Sequence, residues 1–447
     1  MESYKLIVVT VRFLFRFPAG IPMMQLRNLS LVVVSTICSL TLQADDWPQW
    51  RGPRNDGVSQ ETNLPTQWSK EKNVSWRLPM PGSAGSTPVV WGERIFVTST
   101  SGTDLVLLGV STSGKELWRQ TLGSGNKAVR GDEGNSASPS PVTDGSHVWA
   151  TMANGLVSCF TVDGKKVWDL DLQKRYGKFK IAFGMTATPV LDRGRLYFQL
   201  IHGEGNANTQ EAIVVCLDAQ SNKEIWKVDR VTGASSENEH SYASPMLYRD
   251  GTRAFLVTHG GDYAMAHQLK DGREIWRCCM NPQGEKYHPT LRFVSSPLAV
   301  RGMIIIPSAK GGPVLSLKPD AKGDVSSSED ALIWKHDRGT PDVPSPLYHD
   351  GLVYLCRENG NLVCVDSLTG EKIYENRTVR DRHRASPVYA DGKIFLTARK
   401  GIVTVVKAGK TFKVLAENDL GEPTSASPAI SNGTIYIRTF EALYAIG

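Results

Sequence analysis

Eight times along the chain, Ser or Thr is followed by Pro, a short apolar run, a tight turn and a second apolar run. The prolines are Pro88, Pro141, Pro189, Pro245, Pro297, Pro346, Pro387 and Pro428, followed by runs such as "VVWGERIFV", "VYADGKIFLT" and "AISNGTIYIR". Asp-Gly and Asn-Gly at the turns supply the positive φ angles that two-residue hairpins need. Proline has no N–H, so it fits at the start of a strand whose outer side is unpaired. Each unit therefore opens with a hairpin whose first strand begins at Pro.

In most units a second hairpin follows and ends on an aromatic residue. "CFTVDGKKVW" ends at Trp168 and "HQLKDGREIW" at Trp276, while Trp118, Trp226, Trp334 and Tyr374 hold the same place in their units. Four strands per repeat of roughly 41 to 56 residues, with no helical period between them, predict an all-β fold, an eight-bladed β-propeller. The aromatics are expected to dock one blade on the next. The last unit stops at "ALYAIG", one strand short, while "NVSWRL" before the first unit carries Trp76 in the outer-strand pattern. The N-terminal strand is expected to complete the last blade and remove the open edges of the ring. This divides the chain into a segment over 1–44, a strap over 45–72 carrying Trp47, Trp50 and Trp68, and a propeller over 73–447.

Residues 1–44 read as a targeting segment. Arg27 precedes the apolar stretch Leu29 to Leu42, and Leu42-Gln43-Ala44 offers a cleavage site. A start at Met23 or Met24 suits this pattern better than Met1, which places a second apolar block upstream; an uncleaved membrane anchor is the alternative. Either way the propeller is expected in the periplasm or cell envelope, with no transmembrane domain once the signal is removed. Its removal takes away Lys5, Arg12, Arg16 and Arg27 against Glu2, and the formal charge falls from +6 to +3. So mild a charge gives no reason to expect nucleic acid as a partner. Among the six remaining cysteines no haem-attachment or paired zinc spacing occurs. A monomer is expected.

The unit "ASPVYADGKIFLT" followed by "DSLTGEKIY", Asp366 to Tyr374, resembles the pyrroloquinoline quinone (PQQ) type repeat with its tryptophan-docking pattern, as does Asp218 to Trp226. The opening "WPQWRGPRNDG" is similar to that of secreted bacterial proteins with these repeats. The resemblance implies a quinoprotein alcohol dehydrogenase-like propeller and leaves two principal branches. One binds PQQ and calcium and oxidises alcohols or sugars. The other, the outer-membrane protein assembly factor, is a non-catalytic scaffold. This chain is much shorter than the quinoprotein alcohol dehydrogenases, which points to the scaffold.

Loops entering the innermost strands and those joining the second and third strands converge at the mouth of the channel, where a ligand or partner is expected. They bring cations, Lys127, Arg130, Arg175, Lys178, Lys180, Arg292, Arg382 and Arg384, together with His202, His240, His259, His288 and His383. Glu204, Glu237, Glu239, Asp262 and Glu358 are candidate calcium ligands or general bases, although isolated loop carboxylates are more often simply solvated. No short His spacing supports a metal, no nucleophile elbow is present, and no catalytic residue is assigned. PQQ would need an aromatic platform, yet no Trp falls in a mouth loop, which leaves Tyr176, Phe183, Tyr242, Tyr263, Tyr287 or Phe293. Cys278-Cys279 follows Trp276 directly and so belongs to an outer strand, away from a cofactor. No cofactor is therefore expected. The function expected is a scaffold binding an envelope protein or a small anionic or sugar ligand. A PQQ- and calcium-dependent oxidoreductase and a carbohydrate-binding or lyase propeller are the alternatives.

Overall fold

The computed structural model describes residues 46–127, 129, 134–282 and 287–447; the targeting segment read over 1–44, and Arg130, lie outside them. Eight antiparallel sheets follow one another around a central channel. In the first, Val89–Trp91 pairs with Arg94–Ser101, which pairs with Asp104–Ser111 and then Glu116–Ser124. Every innermost strand begins at the residue after a repeat proline, as at Val142, Val190 and Val388. The second and third strands are buried almost throughout, whereas the fourth alternates half-buried and exposed residues, the period of a sheet edge facing water on one side.

The eighth sheet is built from both ends of the chain. Val74–Pro79 lies antiparallel to Ala442–Ile446, with Trp76 opposite Ala445. The N-terminal strand thus supplies the missing fourth strand.

Aromatic docking follows a two-sided rule. Within its own blade, each docking aromatic lies opposite a small residue of the third strand: Gly109 for Trp118, Cys159 for Trp168, Cys216 for Trp226, Ala266 for Trp276, Ser316 for Trp334 and Cys364 for Tyr374. That explains the recurring cysteines as small buried side chains, and burial pushes the Cys159 thiol up to about 12. On the other side, the indole reaches the hairpin turn of the next blade. Trp76, Trp118, Trp226 and Trp334 donate to the carbonyls of Thr112, Val162, Leu269 and Ser367 at 2.8–3.1 Å. The turn glycine beneath the ring is required there: a Cβ at Gly164 would come within 2.7 Å of Trp118, at a φ of +85°.

One blade departs from the expected four strands. Between the fourth and fifth blades' docking positions the usual hairpin is replaced by a longer excursion, and Gly323–Asp324 adds a fifth, parallel strand beside Glu274–Cys279. Trp276 is fully buried in the apolar cluster that includes Ala321, Val325 and Ala331, and its Nε1 has no hydrogen-bond partner.

Truncation before Ala442 strands Val74–Pro79 without a partner, and should abolish the single cooperative urea transition followed by circular dichroism. Trp276→Ala should lower stability by about 3–5 kcal/mol in the same experiment, the cost of emptying a large buried site.

Candidate functional site

The residue before each repeat proline is held extended by the proline ring. Its N–H points sideways out of its own blade and donates to the equivalent hydroxyl of the next one. Thr87 donates to Ser140, Ser140 to Thr188, Thr188 to Ser244, Ser244 to Ser296, Ser296 to Ser345, Ser345 to Ser386 and Ser386 to Ser427, at 2.8–3.1 Å. A belt of hydroxyls therefore runs round the channel. Each of these oxygens accepts one N–H and keeps its own hydrogen for donation.

Strand alternation puts the residue two places earlier on the same side, which makes a second tier above the belt. Gly85, Ser138, Thr186, Tyr242, Val294, Val343, Arg384 and Ser425 occupy it, one per blade. Together the tiers enclose a cavity of about 400 Å³.

Its floor comes from the N-terminal strap. Trp47 exchanges two hydrogen bonds with Val90 of the first innermost strand, Pro48 accepts from Thr143 in the second blade, and Gly57 accepts from Tyr389 in the seventh. Between these anchors Arg51 donates to the carbonyls of Pro346 and Pro387, and Trp50 lines the cavity. Burial lowers the Arg51 pKa to about 10, so the guanidinium stays charged near neutrality, with Asp56 nearby.

The walls combine aromatic and charged groups. Phe183 lies 5.7 Å from Tyr242 between ring centroids, and the Arg292 guanidinium sits 5.4 Å from the Phe183 ring. Arg292 is paired with Glu237 at 3.2 Å, and Arg384 with Glu358. Asp342 stands beside Glu358 and accepts from the Lys310 N–H at 3.2 Å. Burial first, and the neighbouring Glu358 second, hold the Asp342 carboxyl above the usual aspartate range. Asp342 and Glu358 also border a wider groove of about 800 Å³ that runs over the fifth to seventh blades past Lys310, Arg338, Arg357, Arg380 and Arg382.

Of the cations and histidines expected at the mouth, the cavity brings together Arg292 and Arg384, with Arg382 in the adjoining groove. Lys127 and Lys178 are exposed, and Arg175 turns away to hold Asn222 in the third blade. His288 is exposed beside Thr290, and His240 meets the Gly203 carbonyl at 2.9 Å. His259, His383 and Glu239 are internal instead of facing the channel mouth. His259 is enclosed between Pro307 and Phe293, and burial lowers its pKa to about 3. His383 is fully buried with its Nδ1 on the Asp381 carbonyl, and Glu239 accepts from Gly205 in a space too tight for a side chain at Gly203. Asp262 is likewise a buried fastener, gripped by Asn238, Asn281 and Tyr287. Phe183 and Tyr242, both among the aromatics expected at the mouth, do line the cavity, and reading the repeat two places before each belt residue would also have found Thr186. Nothing in the sequence marks Trp50, which reaches the cavity from outside the repeats.

A family model described as outer membrane protein assembly factor BamB matches residues 58–200, 153–323 and 321–446. The chain belongs to that family. Over 342 residues it is 25% identical to a polyvinylalcohol dehydrogenase from a Pseudomonas species, a match covering 65% of this chain and 50% of that one. It thus spans about half the length of that relative. BamB from Moraxella catarrhalis matches with a TM-score of 0.57 at 14% identity, covering 80% of this chain and 93% of that one. A europium-containing methanol dehydrogenase matches at 0.66 and 13%, covering 89% of this chain and 90% of the other. A quinohemoprotein alcohol dehydrogenase from Comamonas testosteroni matches at 0.63 and 12%, covering 90% and 80%. At such identities the structural likeness is one of fold.

The PQQ-like fold invites a quinone cofactor, but the donor set does not suit one. Arg292 and Arg384 are each already paired with a carboxylate, so the walls offer no surplus positive charge for a trianion. Among the described residues no three His, Cys, Asp or Glu side chains converge as metal ligands. Cys278 and Cys279 are free thiols at the end of an outer strand, where the Cys279 N–H meets Ser326.

The folded protein holds the Asp342 proton more tightly than the unfolded chain does. Stability should therefore fall as pH rises from the ordinary aspartate value through the raised one. Denaturant midpoints measured across that range should show this decline in the parent protein and its loss in Asp342→Asn.

Proposed function

We propose that the protein is an exported, non-catalytic propeller scaffold that takes an acidic segment of a partner protein in the groove over its fifth to seventh blades. The observation that carries this is the groove's charge. Arg338 and Arg380 are exposed along it. Arg357 is fixed by Glu375 at 2.7 Å and by the Gly339 carbonyl, and Lys310 reaches Glu237 at 3.4 Å. The paired cations shape the wall, and the two exposed arginines supply the field that would steer an acidic chain to it. The family description as an assembly factor supports a protein partner, and that role would put the ring in the periplasm or at the cell envelope. No helix among the described residues is long and apolar enough to cross a membrane.

Arg384 is a poor place to test this surface, because reversing its charge would leave Glu358 unpaired in the cavity wall. The double variant Arg338→Glu, Arg380→Glu is the cleaner probe. A fluorescent peptide rich in Glu and Asp should bind the parent protein in a salt-sensitive manner, and about tenfold more weakly in the double variant at unchanged melting temperature. Equal affinity in the two proteins would remove the groove from consideration.

A further inference from the structure

We infer that the central cavity is a separate binding site for one neutral polyhydroxylated molecule, a mono- or disaccharide. It goes beyond the acidic-segment groove, with which it shares only a wall at Asp342 and Glu358. Three features of the cavity select this chemistry.

The first is its hydrogen-bonding character. The belt hydroxyls each accept a backbone N–H from the neighbouring blade, which fixes their oxygens around the axis and frees their hydrogens to donate inward. Arg384 adds donors, and the carboxyls of Asp342 and Glu358 add acceptors. Alternating donors and acceptors on one wall match the hydroxyls of a sugar, each of which both gives and takes a hydrogen bond.

The second is charge. The guanidiniums of Arg292 and Arg384 are matched by Glu237 and Glu358, and burial holds the neighbouring Asp342 carboxyl above the usual aspartate range. An uncharged ligand gains these polar contacts without upsetting the pairs; an anion would have to compete with the carboxylates already there.

The third is shape. Phe183 and Tyr242, whose planes meet at 34°, form an aromatic wall, and Trp50 closes the floor. Aromatic faces cover the C–H faces of a sugar ring while its rim of hydroxyls meets the belt. A volume of about 400 Å³ lies within the range of small-molecule sites.

The test is calorimetric titration of the full chain with glucose, maltose and cellobiose, with glucuronate and PQQ as anionic comparisons. At least one neutral sugar should bind saturably and more tightly than either anion. Phe183→Ala should weaken it about tenfold, and Thr186→Val, which exchanges a cavity hydroxyl for a methyl of similar size, should weaken it too. If Phe183→Ala lowers the melting temperature, Thr186→Val alone decides. Arg338→Glu, Arg380→Glu should bind the sugar as the parent does, which separates this site from the groove whatever happens to the acidic peptide. Absence of saturable heat with all three sugars overturns the inference, as does sugar binding untouched by Thr186→Val. Tighter binding of glucuronate or PQQ overturns it as well.

Discussion

The hydrogen bond from a pre-proline N–H to the hydroxyl of the next blade organises this molecule. It passes directly from blade to blade at the channel, and it needs both halves of the Ser/Thr-Pro pair. Proline fixes the direction of the preceding N–H, and the hydroxyl receives it from the neighbour. Joined in series, seven such links set the spacing of the blades at the channel and give the cavity its lining. The same atoms hold the ring together and present its interior to a ligand.

At the rim, the blades meet through apolar packing instead. An indole lies over a small residue of its own sheet and over a glycine of the next, and its N–H satisfies a turn carbonyl. The belt works by direction and the rim by area, so the two radii contribute different kinds of specificity. Where the fourth blade meets an unusual fifth, the area is kept and the indole hydrogen bond is lost, with Ala321 and Val325 of the excursion in the same apolar cluster as Trp276. The exception shows that buried apolar surface is the more conserved requirement of the rim within this one ring.

The architecture was legible because most blades repeat the same local chemistry. A proline, a Gly turn, a small residue and an aromatic at fixed offsets leave few folds open, and even the closing strand at Trp76 could be read from its pattern. The site was less legible because repetition is what it lacks. Arg292, Arg384, Phe183 and Tyr242 could be read from their loops, whereas Asp342 is a single departure at a position that other blades fill with different side chains. Charge and loop position alone also overstated accessibility. His259, His383 and Glu239 sit in loops or strand ends that the ring folds inward, and their polar atoms secure neighbouring backbone. Trp50 escaped notice for the opposite reason, since its role depends on a strap crossing several blades at once.

That strap changes what the channel is. With Trp47 bridged to the first blade, Gly57 bonded to the seventh and Arg51 locked to two carbonyls between them, the chain itself crosses one end of the ring. The strap thus makes one end of the channel part of the same chain that forms the ring. The cavity's other boundary shares Asp342 and Glu358 with the arginine-lined groove, so a chain lying in that groove would also stand against whatever the cavity holds.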